Sequence, residues 1–580
     1  MKKNWHLANK ISLDFIGKHH EIPSFLLQLL VNRNIESDKF LEFLNNDTVK
    51  FLDPYLFSDM QKVIEKIIYH IKSKHKILVY GDYDADGITS SSLLFDILNT
   101  LKADVETYIP DRVSEGYSLN KQAISEAHNR GIKLIITVDC GVRNKVEISL
   151  AQELGIEVIV SDHHSFPENK KDWPDCLIIN PAHPGDSFPY KKLAGVGVAF
   201  KLAEALVNSS KLSSEDKSKL LRRQLDLVAL GTIADLVSLT GENRVLVREG
   251  LKVINYNLSS LVKGRQGLYQ LAKLSKLSGD KDLESWNIAF QLAPRLNASS
   301  RIEHADTAVK LLTTSSRIEA RQLAEELNLK NQKRQVITKE IFNEVGDLLK
   351  DDKNFVKIAV CPQGKKWNEG VIGLASSKLT AKHYLPSLVI TRTEEDKGKV
   401  SFKGSGRSIN EFNLVEALED LKDYLDKYGG HPMACGFSIY SQDKLDKFVS
   451  KLRKLAEKKL KGKELSPKLE IDLELDLALI NEDFMLNCDK LRPYGKDNPR
   501  PLFVSRKQLV SDIMTMGDKG QHIKIKVNNF WAIAFSQSEK FTEVKAGDKI
   551  DLVYYLEYNH FNGKKTIQLK IIDFKKYEEK

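Results

Sequence analysis

The chain has 580 residues, of which 42% are hydrophobic and 29% charged, enough for three or four domains of ~100–200 residues each. No apolar run approaches the ~20 residues that a membrane-spanning helix needs, which excludes that class, and the net charge of +9 permits a polyanionic partner without requiring one. Five scattered cysteines with no CxxC pair exclude a zinc knuckle and a disulfide framework, and a start that turns polar after MKK carries no secretory signal, so a reduced, cytoplasmic chain is expected.

Residues 1–70 show helical periodicity in FLLQLLVNR and MQKVIEKIIYHIK without a chemical motif, which predicts a helical cap. From 71 to 240 short β-rich runs alternate with helical segments: KILVYGD, VETYIPD, KLIITVDCG, EVIVSDHH and CLIINP. That alternation predicts a mostly parallel sheet covered by helices on both faces. Residues 241–350 are helical and end in an amphipathic stretch from RIEARQ to GDLLK, read as a long helix joining two domains. A smaller α/β unit is expected over 351–460, and a lysine-rich linker, KKLKGKELSPKLE, leads to an all-β region over 467–580. There HIKIKV, WAIAF, KIDLVYYLEY and KTIQLKIIDF alternate as strands, Asn562-Gly563 signals a hairpin, and a small barrel is the expected outcome.

In open α/β sheets ligands collect outside the carboxyl ends of the strands. Asp82, Asp84 and Asp86 follow ILVYG; Asp139 follows LIITV; Asp162, His163 and His164 follow VIVS; Asp235 closes the apolar segment ALGTIAD. Each piece alone fits an ordinary cap or strand end, and DYDADGITSSSL is no calcium loop, because it follows a strand and lacks the closing Glu. Adjacent histidines on a strand end are expected to point to opposite sides, so both seldom serve packing. Several carboxylates gathered on one rim need relief by protons, basic side chains or cations, and an oxygen-rich set with imidazole and no thiolate suits Mn²⁺ or Mg²⁺. Two such ions would serve phosphoester hydrolysis.

GDYDADG, VDCG, SDHH and GTIAD, in this order, resemble the motif series of the DHH phosphoesterase superfamily. The segments IPDRVSEGYS, LAPRLNASSRIEHAD, WNEGVIGLASSKL, FKGSGRSINEFNL, YGGHPMACGFSI and LRPYGKDNPRPLF narrow the resemblance to the RecJ single-strand-specific exonucleases. The resemblance implies an α/β multidomain chain: a parallel-sheet DHH domain, a smaller DHH-associated domain joined by a long helix, and a C-terminal oligonucleotide-binding barrel. It implies a two-ion, Mn²⁺- or Mg²⁺-dependent enzyme that degrades single-stranded DNA from the 5′ end in recombination and repair, as a monomer beside a helicase and a single-strand-binding protein. Carried over, Asp84, Asp86, Asp139, His163 and Asp235 are metal ligands, Asp82 a direct or outer-shell acid, and His164 a phosphate contact or supporting group.

For the substrate, Arg112 and Arg301 are expected to pair with phosphate, and Arg295 and Arg301 to flank a turn at Asn297. The glycine-rich GSGRS supplies Ser405, Gly406 and Arg407 as a phosphate loop, and His431 in GGHPMACG is a further candidate contact. In the barrel Trp531, Phe535, Tyr554, Tyr555 and Tyr558, with Lys524 and Lys526, offer stacking faces or core residues. Asn368 stands where the family usually has histidine, Ser299-Ser300-Arg301 where it often has AAGR or similar, and Ser118 where it has the last glycine of GYG; these touch DNA positioning more than hydrolysis. Two other readings are a DHH phosphodiesterase for short oligonucleotides or cyclic dinucleotides, usually two-domain, and a non-catalytic single-strand-binding scaffold, which would have lost a metal acid.

Overall fold

In the computed structural model the run KILVYG becomes the strand Lys76–Gly81 (β1), buried from Ile77 onward. Residues 3–45, 51–112, 115–116, 118–259, 264–277, 282–302, 305–394, 400–561 and 564–577 are described. The chain divides into two units, Phe51–Val237 with Gly241–Leu465, and Met1–Lys50 with Ser238–Thr240 and Ser466–Lys580.

In the first unit β1 is followed by the helix Ala85–Thr100 (α1) and the strands Asp104–Tyr108 (β2), Ile132–Val138 (β3), Glu157–Ser161 (β4) and Leu177–Ile179 (β5). All pairings are parallel, in the order β2-β1-β3-β4-β5. The chain leaves β1 toward one side, returns, and continues on the other, so the crevice between the carboxyl ends of β1 and β3 is a topological switch point. Helix α1 is buried nearly all round although its sequence is rich in serine. Thr89, Ser90, Ser91 and Ser92 each donate a hydroxyl to the carbonyl four residues back, which satisfies those groups inside the helix and lets a polar segment lie in the core.

The helices Gly195–Asn208 (α2) and Ser214–Ala234 (α3) pack on α1. The helix Ala293–Ile302 (α4) and the 32-residue helix Arg317–Leu348 (α5) follow, and α5 spans about 48 Å. The segment PRLNASSR therefore holds no turn: Leu296, Ala298, Ser299 and Ser300 are buried, and that packing outweighs the weak helix preference of Asn and Ser.

A second sheet is built from Lys357–Val360 (β6), Ser387–Glu394 (β7), Val400–Arg407 (β8), Lys427–His431 (β9) and Ala434–Ile439 (β10), with the helix Glu369–His383 (α6) before β7. Its order is β9-β10-β8-β7-β6, parallel only between β6 and β7. GSGR is thus the end of an internal strand and not an open phosphate loop, because β7 and β10 engage its backbone from both sides. A Cβ on Gly404 would sit 2.1 Å from the Phe437 ring, so glycine there lets that ring cross the sheet.

The second unit contains Phe503–Met516 (β11), His522–Val527 (β12), Phe530–Ala534 (β13), Lys549–Phe561 (β14) and Lys564–Lys576 (β15). The order β11-β12-β13-β15-β14 closes through a pairing of β14 with β11, which makes a five-stranded barrel. The region is not purely β, since a helix spans Glu482–Asp489. The Asn562-Gly563 turn lies outside the described residues, although β14 and β15 pair up to Phe561 opposite Lys564. The N-terminal residues add a strand, Asn4–Leu7, parallel to Lys468–Ile471. Leu26, Leu27, Leu29 and Leu30 share one core with Ile525, Leu552 and Leu569, each such side chain contributing about 1.5–3 kcal/mol by burial.

Candidate metal centre

Asp84 caps α1: its Oδ1 accepts the N–H groups of Asp86 at 2.9 Å and Gly87 at 3.2 Å. Asp86 turns inward to the start of α2, where Oδ2 accepts from Gly195 N at 2.7 Å and Oδ1 from Val196 N at 2.8 Å. A helix N-terminus thereby holds a fully buried carboxylate. Burial, and then the charge of Asp84, still push Asp86 up to about 7 against those two donors. Asp82 is buried, its Oδ1 accepts no hydrogen bond among the described residues, and burial with the Asp84 charge drives its carboxyl well above the usual range.

Asp139 follows β3 with φ of +61°, a left-handed conformation that is costly for a residue with a side chain, and its N–H donates to Ser161 O at 3.0 Å. Its Oδ1 lies 3.0 Å from His163 Nε2, which is also 3.8 Å from Asp235 Oδ2 and 3.9 Å from Asp86 Oδ2. Burial, then Asp86 and the other acids, hold Asp139 well above the carboxylate range. Burial and the neighbouring His164 charge push His163 down to about 4, so a neutral imidazole faces the acids. Asp235 arrives from the C-cap of α3.

The two histidines do not diverge. They lie beyond the end of β4, where no pleat dictates alternation, and their ring centroids are 4.5 Å apart. Asp162 organises this turn: its Oδ1 accepts from His163 N at 2.7 Å, His164 N at 3.1 Å and His164 Nδ1 at 2.8 Å, while Oδ2 accepts from Val142 N at 3.1 Å. Burial would lower His164, but the bond to Asp162 outweighs it and pushes the imidazole up to about 9. Asp162 itself, against its burial, is held below the usual range by that same pairing.

Three groups of ligand atoms each fall within 4.8 Å: Asp82, Asp84 and Asp139; Asp86, His163 and Asp235; and Asp139, His163 and His164. A buried carboxylate oxygen without a donor, in a set of oxygens and one neutral imidazole, fits a hard or borderline divalent cation such as Mn²⁺ or Mg²⁺. Asp139 and His163 are shared between groups, which suits two adjacent ions better than one. Space is tight: a Cβ on Gly195 would lie 2.7 Å from both Cβ and Oδ1 of Asp139. Gly195→Ala is therefore expected to displace Asp139 and to weaken Mn²⁺ binding roughly 10–100-fold, read as a smaller Mn²⁺-induced rise in melting temperature.

Beside the acids stand arginines with no carboxylate partner among the described residues. The Arg112 guanidinium lies 4.8 Å from the Tyr83 ring centroid. Arg301 donates from Nη1 to Gly370 O at 2.7 Å and leaves a buried Nε without an acceptor. Burial, then Arg112, Arg334 and Arg407, push Arg301 down to about 9. Arg407 donates from Nη1 to Gly406 O at 2.8 Å and to Ser405 Oγ at 3.3 Å. Asn297, on α4, accepts Ala85 N–H at 2.7 Å and so ties α4 to the first turn of α1. His431 is exposed on the edge strand β9, two strands from Arg407 through Ala434.

The three departures from the family pattern have structural roles. Asn368 caps α6 by accepting Gly370 N at 2.9 Å, Ser299 donates to Leu296 O at 2.6 Å, and Ser118 takes a left-handed φ of +73°, where glycine would be unstrained. Sequence reasoning put Asp162 on the rim without giving it a role, and passed over Tyr83, Arg334 and the amides of Gly195 and Val196. The acid that opens DHH was visible as a strand-end residue without its hydrogen bonds, and nothing in the spacing revealed that Asp86 rests in an amide cradle 109 residues away.

In the barrel Tyr554 is fully buried, with its hydroxyl 2.8 Å from Ser505 Oγ, and is a core residue and not a stacking face. Phe535 is 45% exposed, Trp531 has the Lys524 ammonium 4.3 Å from its ring centroid, and Lys565 lies 3.6 Å from that of Tyr558. Tyr555 is half-buried, and Lys526 pairs across the sheet with Trp531.

Comparison with known proteins matches residues 76–232 to the DHH family N-terminal domain, 353–458 to the DHHA1 domain and 471–573 to the RecJ OB domain. The single-stranded-DNA-specific exonuclease RecJ of Bacillus subtilis is 37% identical over 559 residues, covering 95% of this chain and 68% of that protein. The Escherichia coli protein of the same name is 31% identical over 573 residues, covering 95% of this chain and 96% of that one. A crystal structure of RecJ in complex with Mn²⁺ from Thermus thermophilus matches with a TM-score of 0.81 at 26% identity, covering 99% of this chain and 80% of that one. Acids at a switch point, a DHH turn and a closed barrel coincide with homology along nearly the whole length, and the chain belongs to the RecJ family of single-stranded-DNA-specific exonucleases.

Proposed function

We propose that the chain removes nucleotides from the 5′ end of single-stranded DNA at the acid cluster, using Asp82, Asp84, Asp86, Asp139, His163 and Asp235 to hold two Mn²⁺ or Mg²⁺ ions. The observation that carries this reading is the overlap of ligand groups through Asp139 and His163, beside arginines that have no carboxylate partner among the described residues. When bound, such ions supply an activated water and stabilise charge on the leaving oxygen.

The chain's own residues do the rest. Asp84 is oriented by the first turn of α1, and Asp86 by the start of α2, so both carboxylates are set before substrate arrives. The bond to Asp162 orients the His164 imidazole and, against its burial, raises its affinity for a proton, so it stands as a donor to a phosphate oxygen beside Asp139, 4.0 Å away. Arg112, Arg301 and Arg407 bind the terminal phosphate, with Ser405 holding the Arg407 fork and His431 approaching the strand from the sheet edge. Gly406 contributes a carbonyl to that fork and no open amide loop.

The barrel, through Trp531, Phe535 and Tyr558 with neighbouring lysines, binds the body of the strand. No helix among the described residues is long and apolar enough to cross a membrane. By family resemblance the chain works in recombination and repair as a cytoplasmic monomer beside a helicase and a single-strand-binding protein. The test is a time course on single-stranded and blunt duplex oligonucleotides labelled at either end, with Mn²⁺, Mg²⁺ or chelator. Immediate release of label from the 5′ end, only from single strands and only with metal, is expected; release from the 3′ end or with chelator would refute the reading.

A further inference from the structure

Upstream of Arg301 and Asn297 the chain is one continuous helical path: Ser285–Asn287, a π-helical turn over Ile288–Leu292, and α4. The turn widens because Pro294 has no N–H to donate to Phe290, and Ala293 N–H reaches back to Ile288 O instead. Along this path Trp286, Phe290, Pro294, Asn297 and Arg301 recur at spacings of four, four, three and four, the repeat of a single helix face. Trp286 is 54% and Phe290 65% exposed, and their rings lie 5.3 Å apart at 31°. Two large, adjacent aromatics left in water are unusual for a surface that only solvent meets.

The far end of the stripe enters the site, where Asn297 is bonded to Ala85 and Arg301 stands among arginines. Trp286 lies about 22 Å from Arg301 along the helix. Two further arginines fill the interval. Among the described residues Arg295 donates to neutral oxygens alone, Asn328 Oδ1 at 3.1 Å and Gln291 O at 2.5 Å. Arg334, on α5, keeps a buried Nε without an acceptor. Helices α4 and α5 pack on each other, which brings Arg334 to the side of α4 that carries Arg295 and Arg301; burial first, and then the neighbouring arginines, lower both Arg334 and Arg301, and no carboxylate among the described residues pairs with any of the three.

We propose that Trp286 and Phe290 stack the bases, and Arg295 and Arg334 bind the phosphates, of the nucleotides that follow the terminal one in a single strand whose end lies at the acid cluster. The occupant is fixed by charge and by continuity: an uncompensated arginine run joined to the proposed phosphate subsite calls for a polyanion, and exposed aromatic faces call for unpaired bases. A duplex, with its bases stacked internally, gains nothing from such faces. This inference rests on the single-stranded-DNA reading of the acid cluster.

The full-length chain carrying Trp286→Ala and Phe290→Ala is the test, together with Trp286→Phe, which keeps a stacking ring. With Mn²⁺ and a 20-nucleotide single strand, the double variant is expected to raise KM roughly tenfold to a hundredfold with kcat retained. Cleavage of a dinucleotide, too short to reach the pair, should be unchanged, and Trp286→Phe should restore most of the KM. Independently of activity, oligo(dT) in chelator should quench the tryptophan emission of the wild-type chain more than that of Trp286→Phe. An unchanged KM for the long strand, an equal rise for the dinucleotide, or a change of oligomeric state in the double variant would each overturn the proposal. If the wild-type chain cleaved nothing, the nuclease reading would fall, and the quenching comparison would still decide the stacking role.

Discussion

Asp139→Ala is expected to lower hydrolysis of single-stranded DNA by roughly 10³-fold or more, because metal activation supplies several kcal/mol of transition-state stabilisation. The variant should nevertheless fold and melt no lower than wild type when both are free of metal. Asp139 is buried against Asp86, Asp84 and Asp235, and its carboxyl is held well above the usual range. A raised folded-state pKa means that the native chain binds the proton more tightly than the unfolded one, so ionisation destabilises the fold as pH rises through the window. The melting-temperature advantage of Asp139→Ala over metal-free wild type should therefore grow as pH rises above the ordinary aspartate range. Added Mn²⁺ should reverse the order, stabilising wild type and leaving the variant nearly unchanged. Calorimetric scans from acid to neutral pH, with Mn²⁺ or chelator, read both effects.

Arg301→Met should separate stability from activity in the same way. The guanidinium is buried, has one carbonyl acceptor and an unsatisfied Nε among the described residues, and is pushed down to about 9 by burial and by Arg112, Arg334 and Arg407. A methionine of similar length removes that unrelieved charge, and the expected gain in unfolding free energy is about 1–3 kcal/mol. Cleavage of 5′-phosphorylated strands should lose about 10²-fold in kcat/KM, from a buried charge-assisted contact of roughly 2–3 kcal/mol. Denaturant titration beside steady-state kinetics distinguishes this from simple damage, which would lower both.

The parts legible in the sequence were those governed by short-range pattern. Ile77 to Tyr80 and Leu134 to Val138 are apolar runs that only a two-sided sheet explains, and the rule for strand ends then gathers Asp82, Asp84, Asp86, Asp139 and His163 on one rim, where the folded chain has them. Long amphipathic spacing likewise exposed the helix Arg317–Leu348. What stayed hidden depends on distant partners. Asn297 looked like a turn residue, but packing keeps it in α4, where it braces Ala85. GSGR looked like a loop, although Phe437 needs its glycine as a gap in an internal strand. Tyr554 could not be told from Trp531 by alternation alone, because in a closed barrel the inward face is apolar and aromatic residues serve either side. The N-terminal residues join the barrel core through Leu26, Leu27, Leu29 and Leu30, a contact spanning more than 400 residues that no local pattern carries.

The central claim is that the acids at the switch point are ligands for the ions that drive hydrolysis. It is tested most directly by titrating Mn²⁺ into the metal-free chain by calorimetry, alongside hydrolysis of a labelled single strand at each step. Two ions bound per wild-type chain, with activity rising as the second site fills and both effects lost in Asp139→Ala, is the expected result. Hydrolysis that proceeds before Mn²⁺ binds, or Mn²⁺ binding that survives Asp139→Ala undiminished, would contradict it.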